Sequence, residues 1–323
     1  MLIAVSLAVH TMGVHVASAA QVLTVTSQYG PGRPQTVFWE DFRDAVNEAL
    51  PGAYEFRIVT NGALGGEKEE AEAIRLGAIT GALSTVANMT TWVPEGAVLD
   101  LPFVFTGKDH IDTVLSGPLG DDLKAAYRAE GFVVPAFIVF GERHLLADRP
   151  LTAPSDLDGL TLRSLQSDLH LNFWRALGAD PVPLPITEAY SALANGVVDG
   201  MDLTKSGYDA LKLYEVAPVL SETRHMTATG IVYFAKTFWE GLSDEHRAVF
   251  EDAAIEAARG FDQNAAAEQE AALARAIENG AQRVAVDQAP WREATRDFVD
   301  AYVASSGGPT REALAAIRAA GQD

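Results

Sequence analysis

A nine-residue phrase occurs twice in this chain. Ala73-Ile74-Arg75-Leu76-Gly77-Ala78-Ile79-Thr80-Gly81 is matched in character by Ala192-Leu193-Ala194-Asn195-Gly196-Val197-Val198-Asp199-Gly200. Both read as the last turn of a helix, a glycine that ends it, and the start of a β-branched strand. Small apolar residues can repeat by chance. The other explanation is two halves built on one plan, which suits a chain of 323 residues.

The flanking sequence has the same rhythm. Val22 to Thr26 alternates as a strand, and Pro31, Gly32 and Pro34 make a loop. Phe38, Phe42, Val46 and Leu50 lie on one helix face, and Tyr54, Phe56 and Ile58 alternate again up to Asn61-Gly62. A helix is expected from Glu67 to Leu76 and a strand from Ala78 to Ser84. Strands alternating with helices predict a parallel sheet. Ser243 is a good N-cap, and the proline-free run to Asn279 would make a helix about 55 Å long, enough to lie across two lobes unless Gly260 breaks it. Gly280 ends it, Arg283 to Val286 reads as a short strand, and Pro290 opens a helix carrying Trp291, Phe298 and Tyr302.

A net charge of −20 repels nucleic acid and anionic lipid, so neither is expected as a partner. An anionic ligand would have to be captured locally against that field. With no cysteine, disulfides, thiolate metal sites and a cysteine nucleophile are excluded. Residues 1–20 carry no charged side chain and end in Ala17-Ser18-Ala19, which reads as a secretory signal cut after Ala19 or Ala20, although the basic start of such a segment is missing. A buried N-terminal helix is the alternative. No later run is long and apolar enough to span a bilayer.

Phosphate-loop, dinucleotide, nucleophile-elbow and metalloprotease motifs are absent, and His110, His144, His170, His225 and His246 are scattered, without metal-ligand spacing. No catalytic residue, metal or cofactor is expected. What remains is a pair of arginines. Arg143 follows the strand-like Phe132 to Phe140, and Arg163 ends the short strand Leu160-Thr161-Leu162. If the two strands share a sheet, both guanidinium groups reach the end where α/β sheets bind ligands, and a guanidinium matches a carboxylate two-to-two. Salt bridges to local carboxylates are the alternative for each. Glu67 is either a helix-start residue or a ligand contact. Trp92 and Tyr190 read as core, Asp199 as a turn residue, and Asp202 is expected at the same cleft edge. Asn88-Met89-Thr90 matches a glycosylation sequon of low specificity.

LGGE at 64–67, LDLPFVF at 99–105, DLDGLTLRS at 156–164, LGADPVPLP at 177–185, EAYSALANGVVDG at 188–200 and LYEVAPVL at 213–220 together resemble the solute-binding subunits of tripartite ATP-independent periplasmic (TRAP) transporters, in their dicarboxylate-binding branch. The resemblance implies a periplasmic-binding-protein fold: two α/β lobes with crossing hinge strands and a long helix spanning both. From it we expect a signal peptide at 1–20, one lobe from 21–140 plus 230–265, and the other from 141–229 plus 266–323. It implies a periplasmic protein, not an enzyme, that holds an organic acid between the lobes and hands it to membrane permease subunits. The ligand-anchoring arginine falls on Arg163 and a second on Arg143. Polar contacts fall on Gln28, Ser84 and Thr85, and an often acidic position on Asp202. Sialic-acid-binding members carry asparagine at Leu203 and phenylalanine at Ile186, so sialic acid is not the expected ligand. A binding protein of another importer or of a sensor kinase, or an exported hydrolase, are the competing readings.

Overall fold

The computed structural model describes residues 19–321, so all but the last two residues of the expected signal segment lie outside it. One mixed sheet runs through the molecule. Its strands are β1 (Gln21–Thr26), β2 (Tyr54–Val59), β3 (Gly81–Thr85), β4 (Phe132–Ala147), β5 (Thr161–Ser164), β6 (Asp180–Pro183), β7 (Gly200–Leu203), β8 (Val219–Ala235) and β9 (Gln282–Ala285). The spatial order is β2-β1-β3-β8-β4-β7-β5-β6, with β9 on β8.

Two strands are far longer than the rest. β4 has 16 residues and β8 has 17, and they pair antiparallel from Phe132–Ala235 at one end to Ala147–Val219 at the other. β3 pairs with the end of β8 at Gly230–Phe234, whereas β7 pairs with the end of β4 at His144–Ala147. Each end of this ribbon therefore carries its own small parallel group, β2-β1-β3 at one and β7-β5-β6 at the other. The pairing directions point the carboxyl ends of both groups at the middle of the ribbon, where ligands bind in such sheets. The fold is the expected α/β one, with two lobes and crossing strands.

The repeated phrase is repeated structure. Gly77 and Gly196 both take a left-handed backbone, at φ 74° and 65°. Ala78 and Ile79 donate back to the Ala73 carbonyl, and Val197 and Val198 donate likewise to that of Ala192. Thr80 N then bonds Thr24 O of β1, and Asp199 N bonds Thr161 O of β5, both at 2.7 Å. Closing the helix takes up these residues, so β3 begins at Gly81, three residues later than expected, and β7 at Gly200. Asp199 also caps Thr161 N at 2.8 Å, as a turn residue should.

The expected strand Phe132–Phe140 continues to Ala147, so Arg143 lies within β4 rather than after it. Gly141 and Glu142 hide this continuation, and the register shifts on both sides of them, between Val139 and Gly141 and between Arg143 and Leu145. The helix Asp244–Glu278 is continuous for 35 residues, about 52 Å, through Gly260. Ser243 Oγ caps it by accepting from His246 N at 3.2 Å. Its Phe250 and Phe261 join a core with Trp39, Phe42 and Phe234, while Leu273 and Ala276 join another with Leu203 and Leu220. One helix thus braces both ends of the ribbon.

Candidate functional site

Where the two strand groups face each other, a cleft of about 420 Å³, its open mouth included, lies against the ribbon. Tyr29, Glu67, Thr85 and Asn88 approach from one side, and Arg163, Leu165, Ile186, Leu203 and Thr204 from the other, with Phe140, Arg143 and Ala228 as floor. The rims touch. A Cβ on Gly62 would come within 2.5 Å of Thr187 Cγ2, and one on Gly66 within 2.8 Å of Pro185 Cβ. Those glycines allow the close approach that shuts the mouth.

The two expected arginines meet here but differ in state. Both are buried. The Arg143 Nε–H donates to Asp202 Oδ2, and its Nη2 donates to the Asp202 carbonyl at 2.9 Å. Burial alone would raise the Asp202 carboxyl, but the Arg143 guanidinium and the His225 ring hold it well below the usual carboxylate range. His225 Nε2 lies 3.2 Å from the same oxygen, and its Nδ1 lies 2.8 Å from Thr223 Oγ1. Arg143 is thus already neutralised.

Arg163 is not. Its Nε donates to the Leu184 carbonyl at 2.9 Å. Among the described residues no carboxylate lies within ion-pairing distance of it. Burial, with Arg143 nearby, lowers it to about 10, so it remains a cation at neutral pH. A buried guanidinium with unused donors beside a cleft has the geometry to receive a carboxylate.

Glu67 opens its helix, as the structural reading expected, and also lines the cleft. Its Oε2 accepts from Ser84 Oγ (2.7 Å), Thr85 N (2.8 Å), Thr85 Oγ1 (2.7 Å) and Asn88 Nδ2 (2.9 Å). Its Oε1 has no partner among the described residues. The four donors fix the carboxylate in place without cancelling its charge. Tyr29 faces it, and burial together with Glu67 pushes the phenol up to about 12, so it stays a neutral donor.

Of the expected ligand contacts, Arg163, Arg143, Glu67, Thr85 and Leu203 line the cleft. Gln28, Ser84 and Asp202 do not, and support residues that do. Gln28 Nε2 holds the Gly65 carbonyl at 3.1 Å in the rim loop, Ser84 holds Glu67, and Asp202 holds Arg143. Asp202 is fully buried behind the Arg143 guanidinium, which stands between it and the cleft. Tyr29, Asn88 and Thr204 line the cleft without having been expected there. Asn88 is buried between Glu67 and Gln166 N, which rules out the sequon as a sugar acceptor in this fold. Trp92 packs on Phe132, and Tyr190 bonds Glu215 at 2.7 Å; neither lines the cleft. No cluster able to hold a metal ion exists among the described residues.

Residues 25–306 match the family model described as bacterial extracellular solute-binding protein, family 7. The chain belongs to that family. It is a solute-binding protein and not an enzyme. A solute-binding protein of Roseobacter denitrificans is 30% identical over 277 residues, 84% of each chain. Among solved structures, a TRAP periplasmic solute-binding protein of Xanthobacter autotrophicus with bound β-D-galacturonate superposes with a TM-score of 0.87 at 26% identity, covering 92% of this chain and 99% of that one. The sugar-acid-binding protein of Advenella mimigardefordensis, in complex with galactonate, gives 0.89 at 25% identity over 93% and 99%. No helix among the described residues is long and apolar enough to cross a membrane.

Proposed function

We propose that this protein captures a hydroxylated monocarboxylic acid, a sugar acid, between its lobes and delivers it to the membrane subunits of a TRAP transporter. The observation that carries this is the buried Arg163 guanidinium, which has a carbonyl but no carboxylate for a partner. One ligand carboxylate completes it. A second would meet Glu67, with Arg143 already paired to Asp202. Ligand hydroxyls, by contrast, suit Glu67 as acceptor and Tyr29 and Thr85 as polar partners. Uronate and aldonate ligands in the two similar structures support the same class.

In this reading residues 1–20 direct export to the periplasm and are removed after Ala19 or Ala20. The lobes are 21–140 with 230–265, and 141–229 with 266–323, and the hinge sits where β4 loses register around Gly141. Closing from one to ninety-nine per cent requires about 5.5 kcal/mol of differential binding. A bidentate arginine–carboxylate pair supplies roughly 3–6 kcal/mol from its two charged hydrogen bonds, so that one contact is of the required size.

The test is calorimetry with galacturonate on wild type and Arg163→Ala. The expected result is loss of measurable binding in a variant that melts normally. Undiminished affinity in that variant would reject the assignment.

A further inference from the structure

The crossing strands have a second face. Arg143 and His144 are neighbours on β4, so their side chains leave on opposite sides of the ribbon. Arg143 faces the cleft described above, and His144 faces another, of about 1300 Å³ including its open mouth. Its walls come from the segment Phe103–Lys108, the ribbon, the long helix between Asp262 and Glu270, and the start of the helix Gln288–Ser305. Nothing in the proposed function uses it.

Its polar groups are unevenly satisfied. The carboxylates are occupied: Asp262 accepts from Val139 N at 2.8 Å and pairs with Lys108 at 3.0 Å, while Glu270 pairs with Lys205 and Arg283. Of the cations, Lys108 and Lys205 are paired by these same contacts, and Arg292 is not. Arg292 lies over the Phe103 ring, 4.3 Å from its centroid, and reaches only Gln288 Oε1 at 3.3 Å, with no carboxylate in ion-pairing distance among the described residues. Arg224 sits at φ 47°, in the left-handed region, and is ion-paired with Glu142 at 3.5 Å and Glu222 at 3.9 Å. Beside the cations, the neutral His144 ring is buried, and its Nδ1 has no hydrogen-bond partner among the described residues. A buried polar group without a partner is costly and rare. Beside these groups Phe103, Phe105, Ile111 and Met226 form an apolar wall.

We propose that this rear cavity is a second ligand site, for a small carboxylate with an apolar or aromatic body, the carboxylate on Arg292 and the body against Phe103, Phe105 and Met226. Stacking on Phe103 orients the Arg292 fork before the ligand arrives, which lowers the ordering cost of binding. The requirement for an apolar body separates this ligand from the polyhydroxylated acid of the first cleft.

Benzoate is a suitable probe, with acetate (no ring) and benzyl alcohol (no charge) as controls, each titrated calorimetrically into the full chain. The expected result is saturable benzoate binding that neither control reproduces. It persists in Arg163→Ala and weakens at least about tenfold in Arg292→Ala, an exposed position where truncation spares the core. Absence of saturable benzoate binding in wild type, equal binding in Arg292→Ala, equal binding of a control, or loss in Arg163→Ala would each overturn the proposal. Galacturonate binding, measured separately, reports on the first cleft alone, so either reading can fail without the other.

Discussion

In the function proposed above, Glu67 sets which acid the first cleft accepts. A carboxylate held rigidly by four donors repels a second carboxylate and accepts hydroxyls. In Glu67→Gln the loss of a charged acceptor should weaken galacturonate binding by roughly one to two orders of magnitude, the size of a charge-assisted hydrogen bond. Succinate binding should hold or improve. Competition titrations check this, and a wild type that prefers succinate to galacturonate would contradict it. A second residue bears on stability. Glu70 is buried, accepts from Thr26 Oγ1 at 2.5 Å, and has its other oxygen unpartnered; burial pushes it up to about 8 from 4.5. A raised carboxyl contributes fully below its unfolded value and loses that contribution as pH climbs through the folded one. Wild type should therefore lose melting temperature relative to Glu70→Gln as pH rises between about 4.5 and 8. Parallel melts across that window test the sign. At this scale the sequence revealed Arg163 because an arginine ending an apolar strand has few structural uses. It did not reveal Tyr29, Asn88 or Thr204, since a lone polar residue after a strand has no pattern of its own, and its aim is set only once the strands have paired.

Among the elements, β4 determines how the lobes are joined. Gly141, at its middle, has φ 123°, and a Cβ there would lie 2.9 Å from Gln269 Nε2 on the long helix. It meets both reasons for glycine at once, a backbone that L side chains avoid and a close neighbour. Gly141→Ala should destabilise the fold by about 1–3 kcal/mol, read as a lower melting temperature at unchanged pH. An unchanged melt would mean that the ribbon bends freely there. The elements themselves were largely readable: β1, β2, the long helix and the turn glycines follow from periodicity and capping. The length of β4 was not, because Gly141 and Glu142 interrupt its alternation at the bulge. The helix Gly308–Ala320 also went unanticipated.

The whole molecule is two similar halves that cannot be separated by cutting once. β3 needs β8 as its neighbour, β8 needs β4, and the long helix packs on both ends of that pair. A fragment of residues 21–218, which stops before β8, should show no cooperative thermal transition despite holding seven of the nine strands. A sharp melt in that fragment would show that the first group of strands closes its own core. The internal repeat hinted at two halves and the family resemblance implied strands crossing between them, but which strands cross is set by pairing, since the partners of β8 lie far away in sequence.

The position of β8 also governs timing. A chain is made from its amino end, and the strand that seals the first half arrives only after β4 and the three strands of the second group have been laid down. Until then the growing polypeptide has an open sheet edge and no finished core, so it remains pliable through most of its synthesis. The export proposed above would have use for such a delay, since a chain must pass a narrow pore before it acquires shape, and the topology itself imposes the delay.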